Sequence, residues 1–415
     1  MNTNPSPGPK YIPASGKVYN REEINNAIDA VKDGWWTEGR FAKQFEKDFS
    51  NYLGLKYVSL VNSGSSANLL AVASLSSQVF GERRLKPGDE FITSPVAFPT
   101  TVNPGLIYQL KPVFVDIKLN TLNIDASKIE KAITKKTKLI IIAHTLGIPF
   151  DLKTIVRIAR KYNLWLIEDC CDALGSRFDQ KLVGTFGDIS TFSFYPAHQI
   201  TMGEGGAVVT NNPFIYRSIR QFRDWGRDCW CDTGKDNTCG KRFKWKIGDL
   251  PLGYDHKYIY TQIGFNLKLT DFQAAIGVAQ LKKLPHFIKR RKENYTKLYN
   301  FFHSYNKFFT LIKTSTHDDP CWFGFPLIVN KNAPFSRNLL TEYLESNKIG
   351  TRNVFSGNLL RHPAYANLVY KTAGKVVNAD IIMNNAFWMG VYPGITDEMS
   401  TRVIKTLKKF LSAFS

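Results

Sequence analysis

The stretch LWLIEDCCD, residues 164–172, joins an apolar run to three carboxylates. A short apolar run bounded by polar residues indicates a buried strand. A carboxylate at the end of such a strand needs a partner, because burial alone disfavours its charged form. Asp169 is therefore a candidate partner for a cation, either a protonated pyridine nitrogen or a neighbouring arginine or lysine. In an extended strand Asp169 and Cys171 share a face, and Cys170 points to the other.

Strands and helices alternate on both sides of this stretch. The periodicity predicts helices over 22–32 and 40–52, and buried strands at residues 57–61, 90–93, 112–117, 138–143, 164–171, 191–194 and 206–210. This order predicts βαβ units, which form an α/β fold with a mostly parallel sheet covered by helices. Sheets of this kind bind ligands beyond the carboxyl ends of their strands.

The composition is that of an ordinary globular protein with a strong positive charge. Fifty-five Lys and Arg against 35 Asp and Glu give a net charge of +20, and 43% of the residues are hydrophobic. No helix-turn-helix, zinc-finger or RNP pattern accompanies the charge, so we interpret it as a basic surface and expect no nucleic-acid partner. No apolar run reaches the roughly 18–20 residues of a membrane span. The polar, Pro-rich N-terminus lacks the apolar core of a signal peptide, so we expect a cytoplasmic protein.

A run of small residues, NSGSSA at 62–67, lies between a predicted strand and a predicted helix. Backbone N–H groups at a helix N-terminus favour anions. Ser65 and Ser66 would add hydroxyl donors beside Gly64. The loop is therefore a candidate phosphate site, with an ordinary structural turn as the alternative.

The segment TFSFYPAHQITMGEGG, residues 191–206, carries a family resemblance. Together with Asp169 and the Gly-Ser loop, it resembles the DegT/DnrJ/EryC1/StrS family of sugar aminotransferases. A further motif, GFNLKLTDFQAA at 264–275, is similar to a second family motif. The resemblance implies the fold-type I architecture of pyridoxal phosphate (PLP) enzymes, with a smaller C-terminal α+β domain.

One position departs from the family pattern. The family carries a lysine that forms a Schiff base with PLP, and this sequence has His198 there, within Pro196-Ala-His198. Imidazole cannot form a Schiff base, so we expect noncovalent pyridoxamine 5′-phosphate (PMP). His198 can still act as a catalytic base, because its unperturbed pKa lies near neutrality.

The resemblance also implies the other cofactor contacts. Asp169 corresponds to the partner of the pyridine nitrogen, and Phe98 corresponds to an aromatic residue that stacks on the cofactor ring. Asp172 corresponds to a position whose side chain packs against the same ring. The expected phosphate contacts are Gly64, Ser65, Ser66 and Ser193. Asn266 corresponds to a residue that the family donates across a dimer interface, so the resemblance implies a homodimer.

Four of the six cysteines form a spaced set. Cys171, Cys229, Cys231 and Cys239 have the spacing C-x57-C-x-C-x7-C. In a cytosolic protein, clustered cysteines indicate a metal site rather than disulfides. Four thiolates suit either Zn²⁺ or an iron–sulfur cluster, and chemistry alone does not choose between them. Cys170 and Cys321 are interpreted as ordinary buried thiols.

The cysteine spacing together with His198 resembles the iron–sulfur sugar dehydrases within the family, which implies a [2Fe–2S] cluster. The implied reaction removes the C3 hydroxyl of CDP-4-keto-6-deoxy-D-glucose in 3,6-dideoxyhexose synthesis for O-antigen lipopolysaccharide. An NADH-dependent flavin/iron–sulfur reductase would supply the electrons.

Three alternatives stay open. The first is a TDP-4-keto-2,6-dideoxyglucose substrate for the same mechanism. The second is a GDP-sugar dehydrase that ends in deamination, against which the cysteine set argues. The third is a non-catalytic, zinc-bound homologue. The missing lysine argues against an ordinary aminotransferase.

The domain prediction follows from these motifs. We predict an N-terminal arm and helix over residues 1–38 and a large cofactor-binding domain over 39–283. Within the large domain, residues 227–260 form an insertion that carries three of the cysteines. The small C-terminal domain covers 284–415.

Overall fold

The computed structural model describes residues 10–414. Its helices are α1 Arg21–Lys32, α2 Arg40–Leu53, α3 Gly64–Ser74, α4 Pro99–Ile107, α5 Ala126–Ala132, α6 Leu152–Lys161, α7 Pro213–Arg223, α8 Asp271–His303, α9 Arg337–Ser346, α10 Asn378–Asn385 and α11 Asp397–Ser412. Its strands are β1 Tyr57–Val61, β2 Glu90–Thr93, β3 Lys111–Phe114, β4 Thr137–Ala143, β5 Trp165–Asp169, β6 Arg177–Phe178, β7 Lys181–Leu182, β8 Ile189–Ser193, β9 Gly206–Thr210, β10 Phe309–Thr310, β11 Asp318–Asp319, β12 Gly324–Val329, β13 Thr351–Arg352, β14 Lys371–Thr372 and β15 Ala386–Gly390.

An eight-stranded sheet in the order β1-β9-β8-β5-β4-β2-β3-β14 organises the molecule. Its strand pairs are parallel except where β9 pairs with β1 and β8. Helices cover both faces, and this explains why the central strands are buried at nearly every position rather than at alternate ones. The predicted α/β fold with a mostly parallel sheet is confirmed. The edge strand β14, contributed by the C-terminal part of the chain, has no counterpart in the prediction.

A second, antiparallel sheet lies in the C-terminal part of the chain. Its strand order is β10-β12-β15-β13, and it has its own apolar core around residues such as Phe325 and Phe387. The N-terminal arm joins this core through a bridge from Ile12 to Ile349. The predicted boundary at 283/284 falls inside the continuous helix α8. The division into domains therefore stays a prediction. None of the described helices has the length and apolar character to span a membrane.

A buried ion-pair group anchors the chain just before the insertion. Arg223 is fully buried, and its guanidinium binds both Glu38 carboxylate oxygens at 2.7 and 2.8 Å. It also donates to the Leu60 carbonyl on β1 at 2.9 Å. A buried guanidinium is tolerated when carboxylates and carbonyls satisfy it in this way. Glu46 lies in the same group, and burial with the nearby Glu38 carboxylate raises the pKa of Glu46 to about 7.

We expect this raised pKa to make stability depend on pH. The folded state keeps the Glu46 proton between about pH 4.5 and 7, whereas the unfolded state releases it, so stability falls as pH rises through this window. Glu46→Gln should reduce that fall by about 1–3 kcal/mol. The measurement is urea unfolding at pH 5 and pH 8, with the exposed Glu82→Gln as the control. Equal pH dependence in wild type and Glu46→Gln would contradict the prediction.

Candidate active site

A cleft of about 620 Å³ opens at the carboxyl ends of the central strands. The predicted site residues that line it are Gly64, Ser65, Phe98, Asp169, Cys171, Asp172, Ser193 and His198. The C-terminal part of the chain contributes residues that the sequence did not predict, namely Phe323, Arg352, Asn353, Phe355 and Trp388. The location agrees with the rule that ligands bind beyond the carboxyl ends of parallel strands.

Asp169 ends β5 and is almost fully buried. Its Oδ2 accepts hydrogen bonds from Thr101 Oγ1 at 2.7 Å and Asn68 Nδ2 at 2.8 Å, and its Oδ1 accepts from the Cys171 N–H at 3.1 Å. Thr191 Oγ1 donates to Asn68 Oδ1 at 2.6 Å, which fixes the orientation of the amide. No lysine or arginine pairs with Asp169 among the described residues, so the carboxylate is available to a cationic ligand.

Asn68 and Thr101 were not predicted as site residues, although both lie beside predicted motifs. Asn68 follows the Gly-Ser loop, and Thr101 follows Phe98 by three residues. Their positions next to these motifs were therefore a signal in the sequence that could have identified them as site residues. Their contact with Asp169 depends on the packing of α3 and α4 against the strand end, which the spacing along the chain does not reveal.

The start of α3 forms a narrow cradle. Ser63 caps the helix by accepting a hydrogen bond from the Ser66 N–H, and Gly64 and Ser65 line the cleft. An ideal Cβ on Gly64 would lie 2.5 Å from the Ser193 Cβ and 3.0 Å from the Cys171 sulphur. The close approach of these three residues therefore requires glycine at this position. The helix N-terminus beside them favours an anion.

Two of the expected cofactor contacts lie outside the cleft lining. Ser66 has its hydroxyl within 3.0 Å of the Ser63 hydroxyl, which donates to it. Asn266 forms a bridge with Asp224 and accepts a hydrogen bond from Lys268 at 3.0 Å. The role of Ser66 at the phosphate and that of Asn266 across an interface stay predictions.

His198 and Asp172 face each other at the cleft wall. His198 Nδ1 lies 3.5 Å from Asp172 Oδ1, and it has no hydrogen-bond partner among the described residues. Burial, with the positive charge of Arg291, lowers the pKa of His198 to about 3. Burial, with the Asp169 carboxylate, raises the pKa of Asp172 to about 8. At neutral pH the contact therefore joins a neutral imidazole to a largely protonated carboxyl. The imidazole has an unprotonated ring nitrogen, but its lowered pKa makes it a weaker base than the unperturbed histidine assumed from the sequence.

Arg291 holds the backbone behind this imidazole. The side chain is fully buried on α8 and donates to the His198 carbonyl at 2.9 Å. It also donates to the carbonyls of Trp322 and Phe323 at 3.1 and 3.2 Å. The contact joins residues 93 positions apart, and no local motif predicted it.

Two aromatic residues are exposed at the cleft. Phe98 precedes α4 and is 52% exposed, and Tyr195 is 50% exposed. Neither side chain is therefore buried in the core. Phe98 is available to cover the face of a bound ring, as the resemblance implies.

The four cysteines of the spaced set divide into two groups. Cys171 lines the cleft, and burial with the nearby Asp169 carboxylate raises its pKa. The thiols of Cys229 and Cys231 interact with each other in the insertion, with Cys239 nearby. Thr238 Oγ1 donates to the Cys231 sulphur at 3.0 Å, and the Lys241 N–H donates to the Cys239 sulphur at 3.4 Å. Cys170 and Cys321 are fully buried thiols, as predicted.

A different group of metal-ligand types lies in the core. The ligand atoms of His144, Glu168 and Cys170 lie within 4.8 Å of one another. Glu168 already accepts hydrogen bonds from the N–H groups of Gly184, Phe186 and Gly187, in addition to its contact with His144. These contacts satisfy the carboxylate, so we interpret the group as structural support for β5.

The cleft fits a pyridoxamine phosphate. The carboxylate of Asp169 suits a protonated pyridine nitrogen, and the cradle at Gly64 suits a phosphate. The unpartnered Nδ1 of His198 provides a proton acceptor. None of the described residues that line the cleft is a lysine, in agreement with noncovalent binding.

The cradle at Gly64 leads to a testable prediction. In Gly64→Ala the added methyl would overlap Ser193, and overpacking of this kind costs about 1–3 kcal/mol. PMP affinity should therefore fall by about 10–100-fold, measured by fluorescence titration. Ser346→Ala, at an exposed position of α9 outside the cleft lining, is the control, with little change expected. Unchanged PMP affinity in Gly64→Ala would contradict the assignment of this cradle as the phosphate site.

Comparison with known proteins supports the fold and the class of this site. The model of the DegT/DnrJ/EryC1/StrS aminotransferase family matches residues 18–408. The chain is 52% identical to the lipopolysaccharide biosynthesis protein RfbH of Salmonella typhimurium, over 97% of this chain and 92% of that protein. It is 46% identical to a dTDP-4-dehydro-2,6-dideoxy-D-glucose 3-dehydratase of Saccharopolyspora spinosa, over 98% and 88%.

A solved structure shows the same architecture. The GDP-4-keto-6-deoxy-D-mannose-3-dehydratase of E. coli, determined with bound hydrated PLP, is 30% identical. It superposes with a TM-score of 0.85 over 96% of this chain and 100% of that chain. The predicted fold-type I architecture is confirmed. The chain therefore belongs to the DegT/DnrJ/EryC1/StrS aminotransferase family.

Proposed function

We propose that this nucleotide-sugar 3-dehydratase removes the C3 hydroxyl of CDP-4-keto-6-deoxy-D-glucose in 3,6-dideoxyhexose synthesis for O-antigen lipopolysaccharide. The observation that carries the proposal is His198, which lines the cleft near Asp169 where the family has its lysine. The reaction consumes two electrons and two protons, breaks the C3–O bond and releases that oxygen as water. We expect the reaction to take place in the cytoplasm.

The protein would hold PMP noncovalently through residues of the cleft. Asp169 would pair with the pyridine nitrogen and keep it protonated. Gly64, Ser65 and Ser193 would bind the phosphate, and Phe98 would cover the ring. When bound, the cofactor supplies an amine that condenses with the C4 ketone and a ring that accepts electrons.

His198 would move the proton that this chemistry requires. Its lowered pKa leaves the imidazole neutral at physiological pH, so a ring nitrogen is unprotonated, although the same shift makes it a weaker base than a free imidazole. Arg291 fixes the main chain behind it, and Asp172 lies on its Nδ1 side. A lysine in this position would bind the cofactor covalently, whereas histidine leaves the cofactor's amine available to the ketone.

The cysteines would supply the reducing electrons through a [2Fe–2S] cluster. Thiolates are the usual ligands of such clusters. Cys229, Cys231 and Cys239 lie on the insertion and Cys171 lines the cleft, and among the described residues of one copy no three of these sulphurs lie within 4.8 Å of one another. A partner reductase, of the NADH-dependent flavin/iron–sulfur class, would deliver the electrons.

A relative that is named for a dTDP sugar supports a second candidate substrate. The 52% identical Salmonella protein is named for lipopolysaccharide biosynthesis, and the 46% identical Saccharopolyspora protein for a dTDP sugar. The CDP sugar is the proposal because of the lipopolysaccharide relationship. The alternative is the TDP-linked 4-keto-2,6-dideoxyglucose, with the same residues in the same roles.

A homodimer is also part of the proposal. Asn266 lies outside the lining of its own cleft, as expected for a residue that reaches a second copy. Nearby Ile263 is 93% exposed, and Trp225 and Tyr260 are also exposed. Burial of such apolar surface favours association.

The proposal is tested with anaerobically purified protein. We expect absorption bands between about 400 and 600 nm that fade with dithionite. We also expect conversion of the CDP sugar, but not the TDP sugar, once PMP and a reductase are added. Preference for the TDP sugar would transfer the assignment to the alternative substrate. Colourless protein with stoichiometric zinc and no turnover would support the non-catalytic homologue and overturn the proposal.

The cluster and the dehydration should be separable. Cys231→Ser should abolish the visible bands but preserve exchange of the C3 oxygen with isotopically labelled water, because that exchange needs no external electrons. Cys321→Ala, a change at a buried thiol outside the set, is the control and should keep both. Full net reduction by Cys231→Ser would contradict the role of the cluster.

A further inference from the structure

The division of the four cysteines suggests how a complete metal site could form. Cys171 lies on the cleft side of β5, next to Gly64 and Ser193. Among the described residues, no group of three metal-ligand atoms within 4.8 Å of one another contains any of the four cysteines, so the set is not assembled within one chain. No residue of the insertion, residues 227–260, lines the cleft. One copy therefore presents one thiol in an open cleft and three thiols on a separate loop.

Contacts within the chain hold the insertion beside α2. Lys43 and Asp232 form an ion pair at 2.8 Å, and Thr233 Oγ1 donates to Glu38 Oε2 at 3.2 Å. An ideal Cβ on Gly234 would lie 2.8 Å from the Trp35 ring. These contacts are made by the three residues that directly follow Cys231, so they hold its part of the loop beside α2.

The base of the insertion is equally constrained. Buried His256 contacts Asp228 at 2.7 Å, and Asp228 also accepts from Gln221 on α7 at 2.7 Å. A bridge joins Arg227 to Tyr260 where the insertion begins and ends. The Cys171 N–H is in turn bound to Asp169. Both halves of the cysteine set are thus fixed in separate places.

A second copy of this chain can supply the thiols that each half of the cysteine set lacks. Its cleft offers the fourth thiol to the loop, and its loop offers three thiols to the cleft. In a two-fold dimer the same contact occurs twice, so both clefts are completed by one interface. Exposed apolar side chains near the base of the insertion, Trp225, Tyr260 and Ile263, provide surface for such an interface.

We propose that Cys171 of one copy and Cys229, Cys231 and Cys239 of a second copy form a single four-thiolate metal site, so that a dimer carries two. This inference rests on the proposed function, because it takes the iron–sulfur cluster from there. It adds that the cluster is shared between copies and lies at the cofactor cleft.

Mixed dimers provide the test. Chains carrying Cys171→Ser or Cys231→Ser are given different affinity tags, co-expressed, and purified by both tags in succession. A shared site requires that this mixed dimer keep one intact site, because the loop of the first variant meets Cys171 of the second. We expect about half of the wild-type iron and visible absorption per dimer. Each variant alone should contain neither.

The matched control pairs a wild-type chain with a Cys171→Ser/Cys231→Ser double variant. A shared site predicts no intact site in this dimer, because each site receives one defective half. A site within one chain predicts the reverse in both mixtures, with iron only in the control. Iron in the control dimer, or none in the first mixture, would overturn the inference.

Two simpler measurements separate this inference from the proposed function. Wild-type protein without iron would refute the cluster itself, whatever its arrangement. If the wild-type protein and the Cys171→Ser variant both contain the full amount of iron, the cluster exists but Cys171 is not one of its ligands. Iron-loaded wild type that sediments as a monomer would also overturn sharing between copies.

Discussion

The His198→Asn variant is expected to lose dehydration by about 10²–10⁴-fold, the usual contribution of a positioned general base. Asparagine keeps a polar side chain of similar reach but cannot accept the proton. PMP affinity should change little, because the contacts assigned to the phosphate and the pyridine nitrogen lie elsewhere. The measurements are exchange of the substrate's C3 oxygen with isotopically labelled water, and PMP binding by fluorescence.

A surface histidine provides the matched control. His286 is exposed on α8, so His286→Asn should leave both measurements unchanged. His198→Lys tests the position in the opposite way, because a lysine amine there should form a Schiff base with PLP. Borohydride reduction should make this bond permanent, and the mass of the protein should then increase by that of the attached cofactor. Near-normal dehydration in His198→Asn would refute the assigned role.

Asp169→Ala is expected to weaken PMP binding by about 10²–10³-fold, because removing one partner of a buried charge pair costs about 3–5 kcal/mol. The alanine also leaves the Thr101 hydroxyl and the Asn68 amide without their acceptor. Any PMP that binds should be a poor electron acceptor, since its nitrogen is no longer kept protonated. The measurements are PMP affinity and C3 oxygen exchange at saturating PMP.

Asp169→Asn separates charge from shape. Its amide oxygen can still accept from Thr101 and Asn68, so this variant should fold and bind PMP better than the alanine. Its oxygen exchange should remain low because the negative charge is lost. Asp29→Asn, at an exposed position of α1, is the control. Wild-type exchange in Asp169→Asn would contradict the pairing with the pyridine nitrogen.

Much of the fold was predictable because its signals are local. Apolar runs separated by helical patterns predicted the parallel sheet, and the observed strands lie within a few residues of the predicted ones. Strand β5 ends at Asp169 rather than at Cys171, because the chain turns after the carboxylate. The predicted domain boundary at 283/284 is not marked by a break, because α8 runs continuously from Asp271 to His303.

The candidate site was predictable in part for the same reason. Gly64, Asp169 and His198 belong to short motifs at strand ends, and the sheet brings strand ends together. Arg291 and Trp388 carry no such motif. Arg291 reaches the backbone of His198 and Trp388 reaches the cleft because α8 and the C-terminal sheet pack against the large domain, a contact that depends on the shapes of two apolar cores.

The sequence by itself determined the chemistry available to this protein, because the absence of a lysine at position 198 and the presence of four spaced thiols are matters of residue identity. Only the tertiary structure decided which of these groups meet. It brought Asn68 and Thr101 to Asp169, set Arg291 behind His198, and put Cys171 in the lining of a cleft to which no residue of the insertion contributes. Hydrogen bonds and packing between distant segments fix these distances, and spacing along the chain does not encode them.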